Sequence, residues 1–281
     1  MQVFCGTKIM TPSGPLSVYN LGFNKFVDLE CLKVNFNDNT SIIVPKGSGI
    51  KLVNGDFHIV KNPSKTLKLP IQTKIFDFNQ DCKDPYLVGL TICCKTKNGC
   101  FLSNRLRDFD VEAMPISYYN IEFKKLALTT RIITRKEYPN IFWADMKRLK
   151  LDCRLKYRFI PENYMYSNRQ QRIEIIQGLM DMNGINKKGQ FGFHTCSPVL
   201  AEDFAFIIRS LGGFARVSEL PKGDFFRVDI ETPFCPTLSK PYKGLPTNRI
   251  KRVSSIENMG IQPCAEIPTD SLVIDNFIEV N

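Results

Sequence analysis

Short apolar runs cut by turn-forming residues dominate the first 76 or so positions. Lys8-Ile9-Met10 stops at Pro12-Ser13-Gly14, and Leu29 to Phe36 stops at Asn37-Asp38-Asn39. Thr40 to Val44, Ile50 to Val53 and Phe57 to Val60 follow, with Asn54-Gly55 between the last two. Asn-Gly favours a hairpin because both residues tolerate positive φ. Strands at this spacing predict an all-β module. The period then lengthens. Asp84-Pro85 opens an apolar helix, Tyr86 to Cys94, with proline in its first turn where no amide donor is missed. Further helices are expected over about Ile141 to Leu151, Arg169 to Met182 and Ser197 to Leu211. Ser197-Pro198 supplies an N-cap and an N1 proline, and Gly212-Gly213 a C-terminal stop. Gly189 to Thr195 reads as part of a hairpin, and Ala215 to Glu219 and Phe225 to Ile230 as strands. The last section returns to β at Val253 to Ile256, Cys264 to Ile267, Leu272 to Ile274 and Phe277 to Val280.

The order is therefore β, two α/β units of similar layout, then β. Each α/β unit opens with an apolar helix containing glycine, at Gly89 and at Gly178. This predicts an α+β chain in which an internally repeated domain is inserted into a β module built from both termini. The expected boundaries are 1–80 plus 245–281 for the β module, 81–165 for the first repeat and 166–244 for the second.

The chain has 281 residues, 43% of them hydrophobic and 23% charged, an ordinary globular composition. Lys and Arg number 38 against 28 Asp and Glu, for a net charge of +10. That surplus points to a polyanionic partner such as nucleic acid, or to a merely basic surface. Ten cysteines and two histidines carry no paired C-x-x-C spacing with downstream His, which argues against structural zinc. The N-terminus has no apolar signal core, and no apolar run reaches membrane-spanning length. The cysteines then read as thiols in a reducing, intracellular compartment, with Cys93 and Cys94 as packing residues of their helix.

Arg172 to Gly184 reads R-I-E-I-I-Q-G-L-M-D-M-N-G, preceded by Phe159-Ile160-Pro161-Glu162-Asn163-Tyr164-Met165-Tyr166-Ser167. Ile185-Asn186-Lys187-Lys188-Gly189-Gln190, Ser197 to Asp203 and Arg209 to Gly213 continue the pattern, and Pro85-Tyr86-Leu87-Val88-Gly89-Leu90 is a weaker first copy. This resembles the two-repeat LAGLIDADG (DOD-type) homing endonucleases of inteins. The resemblance implies two motif helices packed through small residues, each presenting one carboxylate to shared Mg²⁺ above the DNA minor groove. Here those positions fall on Cys94, followed by Lys95 where the family has Gly, and on Asn183. Hard Mg²⁺ prefers carboxylate oxygen to an amide or a thiol. Asp181 lies two residues before Asn183, about 200° around the helix, so it is no ready substitute. Two-metal cleavage is not expected, and no cofactor is, Mg²⁺ entering only if the endonuclease is active.

The outer segments resemble the halves of an intein splicing (Hint) domain. Gly6-Thr7-Lys8-Ile9-Met10-Thr11-Pro12-Ser13-Gly14 matches the first block, and Ser255-Ile256-Glu257 and Asp275 to Asn281 match the last. The resemblance puts the splicing nucleophile at Met1 or Gln2, with Cys5 too close to the block to serve. The T-x-x-H block falls on Val44-Pro45-Lys46-Gly47, and the penultimate His on Val280; only Asn281 is retained. Splicing chemistry is not expected. The chain spans almost what an intein would, which suggests a degenerate, free-standing descendant of that mobile element.

DNA binding does not need the metal ligands. Basic side chains between Lys124 and Arg158, including Lys124, Lys125, Arg131, Arg135, Lys136, Lys147, Arg148, Lys150, Arg154, Lys156 and Arg158, suit phosphate contacts. Lys187, Lys188, Arg216, Lys222 and Arg227 are the candidates of the second repeat. A solvated basic face would look the same. His194 is either a DNA contact or a strand residue with a local hydrogen bond. Three functions stay open. One is a duplex-DNA-binding protein on an inactive scaffold. The second is an active homing endonuclease. The third is a co-opted structural or interaction protein, such as a phage or viral component in a virion, with a protein partner in place of DNA. In each the chain is expected to be a monomer with an internal pseudo-dimer and no membrane partner.

Overall fold

A computed structural model describes residues 1–22, 25–64, 70–71, 74–94, 101–102, 121–125, 130–134, 141–187, 190–221, 223–239 and 251–281. The architecture is mixed α+β with several antiparallel sheets. The chain opens with β1 (Gln2–Phe4), β2 (Lys8–Thr11), β3 (Gly14–Ser17), β4 (Phe26–Phe36), β5 (Ser41–Pro45), β6 (Gly49–Lys51) and β7 (Phe57–Ile59). There follow α1 (Pro85–Ile92), β8 (Phe101–Leu102), β9 (Ile121–Lys125), β10 (Thr130–Thr134), α2 (Ile141–Arg148), α3 (Glu162–Met165), α4 (Arg169–Asn183), β11 (Gly184–Lys187), β12 (Gln190–Thr195), α5 (Pro198–Ser210), β13 (Phe214–Glu219) and β14 (Phe226–Glu231). The return consists of β15 (Val253–Glu266), β16 (Leu272–Ile274) and β17 (Ile278–Val280). The chain divides into two compact units. Unit 1 comprises Met1–Phe78, Arg209–Arg216 and Asn248–Asn281, and unit 2 comprises Asn79–Ile208 and Val217–Thr247.

In unit 1 the two chain ends interleave. One sheet has the order β1-β15-β4-β5 and the other β3-β2-β16-β17-β6-β7. Leu32, Val34 and Phe36 alternate inward along β4, as a half-buried strand requires. They meet Ile42 and Val44 of β5 and Ile256, Ile274, Ile278 and Val280 from the far end of the sequence. Met1 and Ile267 exchange two backbone hydrogen bonds, Met1 N to Ile267 O at 2.8 Å and Ile267 N to Met1 O at 2.7 Å. Asn281 and Gly49 exchange two more, each 3.1 Å. Val280 pairs with Ile50, and Gly47 lies just before, at φ 99°.

The two strands expected at Val253 to Ile256 and Cys264 to Ile267 are one continuous β15. Its middle reads as a loop because it is polar, yet it pairs along β4 and tolerates a bulge between Asn258 and Gly260. Gly260 takes φ 70°, and its amide donates to Asn258 Oδ1 at 2.8 Å; a bulge of this kind bends the strand without ending the ladder.

The turn before β5 holds a buried charge network. Asp38 Oδ2 accepts from Lys251 Nζ at 2.8 Å and lies 3.6 Å from Arg209 Nε. Lys251 Nζ also donates to Thr40 Oγ1 at 2.7 Å and sits over the Phe36 ring, 4.7 Å from its centroid. Arg209 donates from Nη2 to the Ala215 carbonyl at 2.9 Å. Three segments far apart in sequence thus converge on one carboxylate.

Unit 2 is built on the pair α1 and α4, with Tyr86, Leu87, Leu90, Ile175, Ile176 and Leu179 fully buried. Beside it lies the sheet β11-β12-β14-β13. Phe193 of β12 stacks on Phe204 of α5 at 4.4 Å. Ser197 caps α5 as its sequence suggests, its Oγ accepting from Leu200 N at 3.1 Å, and Gly212 ends it at φ 79°. The single tryptophan, Trp143 on α2, packs edge-on against Phe142. Among the described residues no helix is long and apolar enough to cross a membrane.

Candidate nucleic-acid interface

The helix pair crosses at its two glycines. A Cβ on Gly178 would stand 2.2 Å from the Tyr86 carbonyl oxygen, and one on Gly89 would stand 2.5 Å from the Ile175 carbonyl oxygen. Both obstacles are backbone, so neither helix can accept a side chain here without moving away.

This crossing sets where the helix ends come out. α1 stops at Ile92, two residues before the expected end. Cys93 is its C-cap, and Cys94 turns inward, its amide donating to Thr91 O at 3.0 Å and its Sγ to Leu90 O at 3.1 Å. The thiol that faces outward with Asn183 is therefore Cys93, not Cys94. Together they border a cleft of about 400 Å³ whose polar lining includes Cys93, Asn183, His194, Thr195 and Cys196. No Asp or Glu is among its described lining residues. Asn183 Nδ2 donates to the His194 carbonyl at 3.3 Å, and His194 is half-buried. Burial pushes the Cys93 thiol well up, Cys94 and Cys196 adding to the shift and Arg158 opposing it, so this is a poor thiolate donor near neutral pH.

Asp181 points away from the cleft, as the helical step predicts. It accepts from Tyr86 Oη at 2.8 Å, Leu238 N at 3.1 Å, Ser239 N at 3.2 Å, and the Thr237 and Ser239 hydroxyls. It ties the 237–239 segment to the helix pair. Burial, with Asp181 adjacent, raises the Tyr86 hydroxyl far above its ordinary range, so it stays a donor.

His194, which lines the cleft, also lies on the outer face of the sheet. Phe193, Val228 and Ile230 face the core, so the alternate positions Gly192, His194, Arg227 and Asp229 share the other face. His194 pairs with Arg227 and Gly192 with Asp229. Arg227 Nε donates to Asp229 Oδ1 at 2.6 Å.

No family model matches the sequence, and no curated protein does. Solved structures of one homing endonuclease, I-DmoI, align at low similarity. Mesophilic variants of it share 15% identity over 52% of this chain and 82% of theirs, with a TM-score of 0.37. I-DmoI in complex with DNA and Mn shares 16% over 52% of this chain and 88% of its own, with a TM-score of 0.35. The I-DmoI complex with DNA and Ca gives 16%, 52%, 81% and 0.36 in the same order. A likeness of this size assigns neither fold nor activity by itself.

The expected DNA contacts distribute unevenly. Arg154 and Lys156 are exposed, Lys156 lying over the Tyr157 ring. Lys124 pairs with Arg131, and Lys125 with Thr130, between β9 and β10; Lys187 pairs with Gln190. Arg216 is half-buried. Arg135, Lys136, Lys188 and Lys222 lie outside the described residues. Arg158 is a correction: it is 1% exposed and so cannot serve phosphate. Its Nη2 donates to the Cys94 carbonyl at 3.3 Å, a cation placed just beyond the negative end of α1. Sequence reasoning missed Cys93, Cys196 and Asp229 in this region. For Asp229 a signal existed, since residues two apart on a strand share a face.

Proposed function

We propose that this chain is a duplex-DNA-binding protein on a LAGLIDADG-type homing-endonuclease scaffold that has lost two-metal cleavage. Its outer β module then descends from an intein splicing domain that no longer splices. The observation that carries the reading is the cleft at the end of the glycine-crossed helix pair. Where two carboxylates would be needed, it offers an amide, two thiols and an imidazole. That donor set does not fit Mg²⁺, which takes hard oxygen ligands, so no cleavage step is routed through a metal. The basic surplus and the polar face of the second sheet support a DNA partner. Acting as a monomer with an internal pseudo-dimer fits the two halves of the insertion.

Retardation of duplex DNA across a salt series tests the binding. We expect log K to fall linearly with log salt, with a slope of roughly −0.9 per phosphate neutralised. No retardation even at low salt would sink the DNA reading. A site-specific double-strand cut that needs Mg²⁺ and stops with EDTA would overturn the loss of cleavage.

A further inference from the structure

We propose that Cys31 and Cys264 form an oxidation site in unit 1, a buried dithiol that a small-molecule disulfide converts into a covalent staple between β4 and β15. The site is independent of the DNA-binding reading and stands whether or not the chain binds DNA.

The geometry comes from the ladder. β15 lies between β1 and β4 in its sheet. Cys31 pairs with Gly260 and Cys264 pairs with Val27, so the two cysteines share a face but sit four residues apart along the strands. In a flat sheet that offset would separate their Cα atoms by about 13 Å. Their sulfurs are instead 3.5 Å apart, and both residues are 0% exposed. A cysteine side chain is too short to span the difference, so the strand pair must bend sharply between them. The bulge between Asn258 and Gly260 sits at the rung of Cys31 and supplies such a bend. A third buried thiol lies beside the pair. Phe4 is paired with Cys264, and the amide of the next residue, Cys5, donates to the Pro263 carbonyl at 3.0 Å.

Buried cysteines often act only as small hydrophobes. This pair goes further, because the contact is sulfur to sulfur and joins strands separated by 233 positions in sequence. A disulfide has an S–S distance of about 2.03–2.05 Å, so the sulfurs need to close by roughly 1.5 Å, through side-chain rotation and a slight tightening of the bend. Closing so long a loop removes much freedom from the unfolded chain.

The chemistry is thiol–disulfide exchange. One thiolate attacks a sulfur of the small disulfide and expels one small thiol. The second attacks the resulting mixed disulfide and expels the other. The protein loses two thiol hydrogens and two electrons, and one small disulfide becomes two thiols. Burial works against the attack in the folded state. It raises the Cys31 thiol and pushes Cys264 up to about 12, with Cys31 and Cys5 adding to the latter. Exchange is therefore fast while unit 1 folds or opens and slow once it has closed.

The test refolds the reduced, full-length protein in a mixture of reduced and oxidised glutathione, alkylates the remaining thiols and maps the peptides. A linked peptide joining Cys31 to Cys264 is expected, absent from Cys31→Ser and Cys264→Ser and kept in Cys5→Ser. Oxidised wild type should melt about 5–15 °C above its dithiothreitol-treated form, and the Cys31→Ser midpoint should not respond to dithiothreitol. Because wild type is compared with itself, a poorly folding variant does not blur the outcome. Adding oxidised glutathione to folded, reduced protein should give the same link slowly, and faster in denaturant below the unfolding midpoint. Recovery of Cys31 and Cys264 as alkylated thiols or glutathione adducts would overturn the assignment, as would a dominant link through Cys5. An unchanged or lowered melting midpoint on oxidation would overturn the staple.

Discussion

Asp38 in unit 1 and Asp203 in unit 2 are both carboxylates held largely out of water, and their surroundings move them in opposite directions. For Asp38, burial alone would raise the carboxyl, but Lys251 and Arg209 outweigh it and hold it below the ordinary carboxylate range. For Asp203, burial dominates. One amide, Ile160 N at 2.9 Å, opposes it weakly and Glu202 adds to it, so the carboxyl rises to about 6. The same desolvation thus has opposite outcomes depending on whether a cation shares the cavity. Unit 1 gathers charge from three sequence segments into its interior. In unit 2 neutral donors surround the buried Asp181, supplied by Tyr86, Thr237 and Ser239.

The signs set the pH dependence. The depressed Asp38 contributes stability that is present above its unfolded value near 4 and is lost as pH falls through the folded one. The raised Asp203 contributes stability that is fully present below its unfolded value and is lost as pH rises through about 6.

Breaking unit 1's network should have the largest effect. Lys251→Met leaves Asp38 with Thr40's two donors and the more distant Arg209 as its cation, and a loss of about 3–5 kcal/mol in chemical denaturation is expected. A loss below about 1 kcal/mol would mean that the network is solvated. Next comes the helix crossing of unit 2. Gly178→Ala forces a methyl onto the Tyr86 carbonyl, and destabilisation of about 3 kcal/mol is expected, followed by the fluorescence of Trp143. Asp181→Ala orphans the Tyr86, Thr237 and Ser239 hydroxyls, for about 2 kcal/mol; protection of the 237–239 amides in hydrogen exchange should fall with it. The smallest effect is the sharpest test of the comparison. Asp203→Asn should flatten the decline in Trp143-detected stability between about pH 4 and 6, by less than about 1 kcal/mol after solvent screening. An unchanged pH profile would contradict the role given to Asp203.

Much of the local structure was legible from residue order. The turn dipeptides bounded β4 to β7, the Ser197-Pro198 and Gly212 signals bounded α5, and the glycines of the two apolar helices marked their crossing. Three things were not. The polar middle of β15 hid its continuity, because pairing with β4, not apolar content, keeps it a strand. The choice of Cys93 over Cys94 as the outward thiol depends on α1 ending at Ile92, after which Cys94 folds back onto Thr91 and Leu90. Arg158 looked like a member of a basic stretch and is instead enclosed, since charge in a sequence carries no sign of depth.

The sequence by itself determined most of the longer strands and helices and the two ends of α5, and it placed Asn183 and a cysteine where the resemblance expects acids. These are properties of neighbours along the chain, set by backbone preference and side-chain chemistry. Only the tertiary structure decided that Asp38, Arg209 and Lys251 meet, that Asp181 clasps residues 237–239, and that Arg227 rests on Asp229 over Gly192. Such groupings join residues through the paths of sheets and helices in space. Their energies come from burial and distance, which no single stretch of sequence encodes.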